Sequence, residues 1–576
     1  MNDVELLAVQ SEPGNPSLEV AYQAAGSSGK LTQILAAGPD LVDHYEHPAV
    51  PTGCYGKSLI SAAIDARRLG VDGPLSLDFL VEAAPGYLSD AQRAEAPPDW
   101  VERSIEYAHL KVKNVTSAFS LVPREKGIGA EQGVVDLADY LHFYGRITRA
   151  LLCPPDSFWE AAHSHISDAK HIQHLAVAAM DRLRLRHGLA LAELATLHGE
   201  TEALWELASR YAELGNHVES ARLFLRIAEG GKPEAYISLA ADKEDMGSRD
   251  EARALYIKAA DAGHLDGLRE WADFEAINDR EESATWIYHL LASRGDKECY
   301  FRLGEVLESV GELTQAEDFY RKAMIQGSAR AAQRLANLLD DSGQVEAATE
   351  LRPSKAEFGN SGDLLEAMLT YESHNKTQDA ESIFWDFIGS GDEDFAVHLP
   401  WYRVAKGDIS GAKVLAMKAA AMGFLESLSY VATQCMRQHE EEEVELLLKE
   451  LARYGKSPNP GDYALYLERR NDRDRAELVA AEDERMANYT LLEIAKYRAG
   501  RGDLSSAREL ANKVLRRGDY FALSRLVEIE ESVGNYGEAE RLAFAAVDAG
   551  DFRPLKELAK KHPENDAFVH TLRSGL

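Results

Sequence analysis

Glycine recurs along this chain at a fixed step, and the step constrains the fold more than any other feature. Gly199, Gly231, Gly263, Gly295, Gly327, Gly359, Gly391, Gly423 and Gly455 stand 32 residues apart. Ala487 takes the next slot, and Gly518 and Gly550 follow after a one-residue slip. A second lattice lies between them: Gly215, Gly247, Asn278, Gly311, Gly343, Asn375, Gly407, His439, Asn471, Gly502 and Gly534. Self-similarity at this period marks a solenoid. Glycine just past a helix C-terminus takes the left-handed conformation without steric cost. The two lattices therefore predict two helices per unit, each about 14 residues and about 21 Å long.

The stretch Lys232 to Gly263 shows the plan. Pro233 opens a helix with Tyr236, Leu239 and Ala240 on its apolar face; Gly247-Ser248-Arg249-Asp250 turns; Ala252, Leu255, Tyr256 and Ala259 form the second face. Small residues recur beside the apolar anchor at Ala208, Ala240, Ala272, Gly304, Ala336, Ala432 and Ala464. Small side chains let helices approach closely while large ones fill the groove. One unit alone cannot bury its apolar face, so stability has to come from stacking. The expected fold is all-α: a right-handed α-solenoid of about twelve 32-residue helix-turn-helix repeats over 167–562. A cap is expected over 563–576, next to a final helix carrying Lys556, Lys560 and Lys561. Pro353 and Pro400 fall inside expected helices, where proline removes a backbone bond. They predict a change of curvature or a hinge.

The amino-terminal part reads differently. Residues 1–55 are expected to be a helical segment and linker, with a loop at Ser11 to Pro16 and a short helix over 31–37. Residues 56–150 read as a small winged-helix-like α+β domain. Helices are predicted near Lys57 to Leu69, around Leu77 to Ala83 and from Pro98-Asp99 onward. A β-branched run follows, Val115 to Val122, then Gly127, Gly129 and Gly133, then Val134 and Val135 to pair back. A helix over 136–144 closes it. A connector over 151–166 follows, with Ser157 the expected N-cap of a helix.

Charge and composition exclude several classes. The 576 residues carry a formal charge of −33, and nucleic-acid binding needs clustered Lys and Arg to displace counterions. Nucleic acid is therefore not expected as the main partner. The four cysteines, Cys54, Cys153, Cys299 and Cys435, show neither CxxC spacing nor a disulfide framework. That pattern fits a reducing compartment. No basic and apolar leader opens the chain and no run of about 18 apolar residues appears. The expectation is a cytoplasmic protein without a membrane partner.

Little in the sequence points to chemistry. Pro51-Thr52-Gly53-Cys54-Tyr55-Gly56-Lys57-Ser58 resembles the end of a phosphate-binding loop, but Pro51 stands where that motif needs glycine. No buried strand precedes it and no acidic strand end partners it. Its expected role is to start a helix. His163, His165, His171 and His174 cluster around Asp168 without a tight metal-ligand spacing. Glu440 to Glu443 reads as a solvated helix start. No GxSxG or HExxH occurs. No catalytic, cofactor or metal residue is assigned.

Tyr256-Ile257-Lys258-Ala259-Ala260-Asp261-Ala262-Gly263 and Tyr320-Arg321-Lys322-Ala323-Met324-Ile325-Gln326-Gly327 resemble tetratricopeptide and Sel1-like units, although the step here is shorter than in either family. A broader likeness covers about 35–330. The stretches Ala36 to Val42, Ala62 to Gly70, Ala83 to Leu88 and Leu137 to Leu141 look like the region after the ATPase in actinobacterial signal-transduction ATPases with numerous domains. That resemblance implies repeats that sense a trigger for a nucleotide-binding module, so the chain is expected to be the sensor half of a split or trimmed protein or to work with a separate ATPase subunit.

The reading is therefore a non-enzymatic scaffold or sensor that binds a protein or peptide on the concave face of its first helices. Trp205, Arg269, Phe301 and Gln333 recur at one first-helix position, and Asp273, Glu305 and Asn337 lie one turn on. Their variety suits a recognition surface, and Trp and Arg suit hot spots. One alternative is the sensor arm of a split or truncated ATPase-type signalling or defence switch. A second is an enzyme with an unrecognised site in residues 1–165.

Overall fold

A computed structural model describes residues 31–48, 52–278, 280–351, 361–373, 376–390, 394–438, 441–483, 485–562 and 571. They divide into two compact units. One joins Met1–Ile227 with Ala495–Leu576, and the other is Ala228–Ile494.

Among the described residues twelve helix pairs follow one another from Ala169. They are Ala169–Asp181 with Leu185–Leu197, Glu202–Glu213 with His217–Glu229, Ala235–Asp245 with Arg249–Asp261, and Leu265–Ile277 with Glu281–Ser293. Next come Cys299–Ser309 with Leu313–Ile325, Ala329–Asp341 with Val345–Leu351, Ser361–Ser373 with Thr377–Ser390, and His398–Ala405 with Ile409–Ala421. The last four are Glu426–Gln438 with Glu441–Arg453, Pro460–Arg469 with Arg473–Ala480, Ala487–Gly500 with Leu504–Arg516, and Ala522–Ser532 with Tyr536–Ala549. A single helix, Arg553–Lys561, ends the series and buries Pro554, Leu555, Leu558 and Ala559. The cap expected over 563–576 lies outside the described residues, apart from 571.

Glycine ends these helices for the reason its spacing suggests. Gly263 has φ +86°. Its N–H returns to the Ala260 carbonyl at 2.9 Å, and the next N–H, of His264, returns to Ala259 at 3.1 Å. That double return closes the last turn and requires the left-handed residue. Asn471 does the same with φ +63°, as a short polar side chain allows. Asn278 departs from the expected lattice. Its φ is −94° and its side-chain amide donates to the Phe274 carbonyl at 2.8 Å. The slot 32 residues after Gly247 is 279, outside the described residues together with Gly359, Asn375, Gly391 and His439.

Large buried side chains fill the grooves between helices. Tyr256, Tyr288 and Tyr320 stand 32 apart on three successive second helices and are fully buried. Each hydroxyl donates to a first-helix carboxylate: Tyr256 to Glu244 at 3.0 Å, Tyr288 to Asp273, and Tyr320 to Glu308 at 2.6 Å. Gly304 leaves room for Tyr320, because a Cβ there would sit 2.5 Å from the ring.

Pro400 does not break a helix. The helix His398–Ala405 begins two residues earlier, so Pro400 lies in the first turn, where an N–H has no intrahelical acceptor to lose. Pro353 lies outside the described residues.

The amino-terminal module contains α1 (Leu31–Glu46), α2 (Gly53–Arg68), β1 (Leu75–Ser76), α3 (Leu77–Ala83), α4 (Asp90–Ala94), α5 (Trp100–His109), β2 (Phe119–Pro123), β3 (Ala130–Leu137) and α6 (Asp139–Thr148), with α7 (Asp156–His165) following. The antiparallel sheet has the order β1-β3-β2, so the β2-β3 hairpin is joined by a short strand that follows α2, in a small α+β domain. β2 begins at Phe119, later than the β-branched run suggests. Lys113 and Asn114 have φ +49° and +56°, and the Val112 N–H meets the Thr116 carbonyl at 2.7 Å, so the first residues of that run are spent on a turn. α6 starts at 139 because Asp136 and Leu137 are still paired in β3. Ser157 is not the cap of α7, since Pro155 holds that position. Its hydroxyl donates to the Ala83 carbonyl at 2.7 Å and accepts from the Gly86 N–H at 3.1 Å, tying α7 to α3.

In the same unit the last repeat packs on the first. Arg182 is buried, and its guanidinium donates to the Ala178 carbonyl at 2.9 Å and to the Ala549 carbonyl at 3.0 Å. Ala549 ends its helix, so the cation meets the negative end of the helix dipole. Arg210 covers the Phe552 ring at 4.6 Å, and Gly518 lies against Ile147.

Candidate functional site

A seam of polar side chains crosses the first helices of successive repeats in the second unit. Asp273 meets Arg302 at 3.6 Å, Arg302 meets Glu305 at 2.8 Å, and Glu305 meets Arg334 at 3.2 Å. Gln333 then donates to Asn337 at 3.1 Å and accepts from Tyr371 at 3.0 Å. One residue past Tyr371, Glu372 accepts two bonds from Arg403, at 2.6 and 3.1 Å. At the other end Arg269 grips Asp296 at 2.7 Å and reaches Glu298 at 3.0 Å and Asp266 at 3.3 Å.

The structure brings Asp273 and Glu305 into this seam as half-exposed residues, with Arg269 at its edge. It does not leave all the expected residues on a surface. Phe301, Gln333 and Asn337 are 5%, 1% and 2% exposed. Phe301 packs near the Tyr320 ring at 6.0 Å under the Arg330 guanidinium at 4.8 Å. The expectation that these three present a surface is corrected: the stacked neighbour closes over them. Trp205, in the first unit, is half-buried edge-on to Phe224 at 5.7 Å.

Apart from Arg269, the arginines of the seam were not singled out from the sequence, although a signal exists. Asp181 and Arg210, Asp273 and Arg302, and Glu305 and Arg334 are each separated by 29 residues and each paired. One repeat step less three residues moves to the neighbouring first helix and back about one turn, where side chains on facing helices meet. An acid 29 residues before an arginine is therefore a contact signature of this array.

The amino-terminal module holds a second polar site. Asp65 is fully buried and accepts from Arg68 at 2.6 Å, from Arg149 at 2.9 and 2.8 Å and from the Tyr87 hydroxyl at 2.8 Å. Burial works against its charge, but Arg68 and Arg149 outweigh it and hold the carboxyl below its ordinary range. Burial beside Asp65 pushes the Tyr87 phenol up. A cleft of about 620 Å³ opens above, lined by Lys57, Ser58, Ser61, Tyr87, Gln92 and Arg149 among others. Lys57 faces it bound to Glu46 at 2.8 Å. Gly56-Lys57-Ser58 is helical within α2, not a loop wrapped round a phosphate.

The four histidines disperse to separate partners. His165 bonds Glu82 at 2.6 Å, His171 accepts from the Asp72 N–H at 3.2 Å, and His174 meets the Gly70 carbonyl at 3.0 Å, while His163 is exposed. Among the described residues no group of three or more His, Cys, Asp or Glu is placed to hold a metal ion. No described helix is long and apolar enough to cross a membrane.

No protein family matches the sequence, and no characterised protein does. Solved structures that align with the chain include c5321, a protective antigen of uropathogenic Escherichia coli displaying an SLR fold, at 18% identity over 70% of this chain and 89% of that one, TM-score 0.22. Yeast Tom70 matches at 13% identity over 70% and 97%, TM-score 0.26. The maize pentatricopeptide repeat protein PPR10 matches at 14% identity over 100% and 99%, TM-score 0.25. The helix pairs that succeed one another among the described residues give the chain a helical-repeat fold.

Proposed function

We propose that the protein is a non-catalytic scaffold that binds a protein or peptide along the first helices of its repeats. The observation that carries this reading is the seam from Arg269 to Arg403. Its ion pairs recur at equivalent first-helix positions, Asp273 with Arg302 and Glu305 with Arg334, and these four side chains remain part-exposed. A row of part-exposed charges on successive first helices is what a polar or charged partner segment could meet. Arg269, Asp273 and Glu305 offer charge pairs that a partner can exchange, and Trp205 adds an aromatic anchor on the first unit. Trp and Arg are the residues that most often dominate binding energy.

The test is capture of partners from the native cell by the full chain, by Trp205→Ala and by Asp273→Ala, with helicity checked by circular dichroism. Retained helicity with at least a tenfold weaker capture by either variant supports the reading. Identical capture by all three proteins removes the first-helix assignment.

A second reading is that the array is the sensing arm of an ATPase-type switch whose ATPase is a separate chain. It is favoured by the joining of the winged-helix-like module, the first repeats and the last repeat in one compact unit, so that an event on the array has a physical route to the module. Copurification with an ATPase supports this arrangement, and a chain that signals without one excludes it.

A further inference from the structure

Two carboxyl groups from successive first helices of the second unit line one cleft. Glu275, at the end of helix Leu265–Ile277, is 0% exposed, and its Oε2 has no donor among the described residues. The carboxyl of Glu244, on helix Ala235–Asp245, lines the same cleft, and its charge raises the Glu275 carboxyl. Glu244 already accepts from the Tyr256 hydroxyl at 3.0 Å and from the Ser283 hydroxyl at 2.7 Å. A buried acceptor facing another acceptor is costly unless a proton lies between them.

The surrounding charges do not supply a substitute. Arg280 divides its guanidinium between Asp245 at 3.0 Å and the Oε1 of Glu275 at 3.4 Å. Arg249 and Arg253, on helix Arg249–Asp261, turn to Glu282 at 2.7 and 3.6 Å. Glu281 adds a further negative group to the rim. The pair lines a cleft of about 490 Å³ that Trp286 and these arginines help to wall, so protons reach it from water.

We propose that Glu244 and Glu275 form a proton-binding site that fastens two successive repeats when occupied and loosens them when the proton leaves. Protonated Glu275 donates from Oε2 to the Glu244 carboxylate and satisfies the orphaned oxygen. When the proton leaves to solvent, two negative charges face each other across neighbouring first helices, with a shared Arg280 the nearest counter-charge. Burial first, and the Glu244 charge second, raise the Glu275 carboxyl from an ordinary 4.5 to about 7. The folded state therefore holds this proton more tightly than the unfolded chain does. The resulting stability is complete below about 4.5 and is lost as the pH rises through 7.

The test is hydrogen exchange on the full chain at pH 6 and pH 8, corrected for the intrinsic rate and read on the amides of Leu265–Ile277. Protection of that helix in the wild type should fall about tenfold across this interval. Glu275→Gln, which keeps a donor and cannot ionise, should show the same protection at both values. Glu244→Gln removes the opposing charge but leaves the burial of Glu275, and should shrink the dependence without abolishing it. It serves as the decisive variant if Glu275→Gln does not fold. Wild-type protection that is unchanged between pH 6 and 8, or variants that follow the wild type, overturn the proposal. The readout needs no partner, so its outcome is independent of what the scaffold binds.

Discussion

Asp65 in the amino-terminal module and Glu305 in the repeat array each lie between two arginines, and the two settings are opposite. The Asp65 side chain is 0% exposed, with Arg68 at 5% and Arg149 at 15%. The Glu305 side chain is 19% exposed, with Arg302 at 44% and Arg334 at 27%. In the module one carboxylate is the meeting point of α2, the turn carrying Tyr87 and the end of α6. In the array the same chemistry recurs from repeat to repeat, and water shares each pair. A buried charge pair is dangerous to break because its survivor is stranded, whereas an exposed pair releases its survivor to solvent. The module therefore depends on one complete network, while the array distributes its cohesion over many replaceable ones.

Removing the charge of Asp65 is the most severe way to test this contrast. Asp65→Asn leaves two guanidinium groups without their counter-ion and should cost about 3–5 kcal/mol, read as a lowered urea midpoint. Because the folded carboxyl is held below its ordinary range, its contribution is present above about 3.8 and disappears as the pH falls through the lower folded value. Phe301→Ala in the array should cost a similar amount, about 3–5 kcal/mol, through an emptied core site. The melting signal should show that loss without any pH dependence. Gly263→Ala forces a side chain into the left-handed cap and should cost about 1–2 kcal/mol. Glu305→Gln should cost under about 1 kcal/mol, because its arginines are partly hydrated. If Glu305→Gln destabilises the chain as much as Asp65→Asn, the array is not the distributed structure described here.

The repeats were legible because their punctuation is steric. A left-handed cap admits glycine, sometimes asparagine, and the sequence shows that demand directly at Gly263 and Asn471. The β2-β3 hairpin was legible because β-branched residues and a glycine-rich turn stand together. β1 was not, since two residues are too few to show alternation. The turn at Lys113-Asn114 was missed because Lys113 gives no sign of a positive φ and Asn114, which tolerates one, stands without a glycine beside it. Periodicity identified first-helix positions correctly as equivalent, but it cannot say how far a stacked neighbour covers each one. Phe301, Gln333 and Asn337 were therefore read as surface and are buried. The Asp65 network and the pairing of Glu244 with Glu275 depend on side chains brought together by folding, at separations that leave no pattern in a single sequence.

The bond from Arg182 to the Ala549 carbonyl has a consequence for how such a chain evolves. Repeat proteins usually gain or lose units by duplication and deletion, because each unit answers only to its neighbours. Here an early unit also answers to the last one, across 367 residues of sequence, so a substitution on either side of that contact has to be matched on the other.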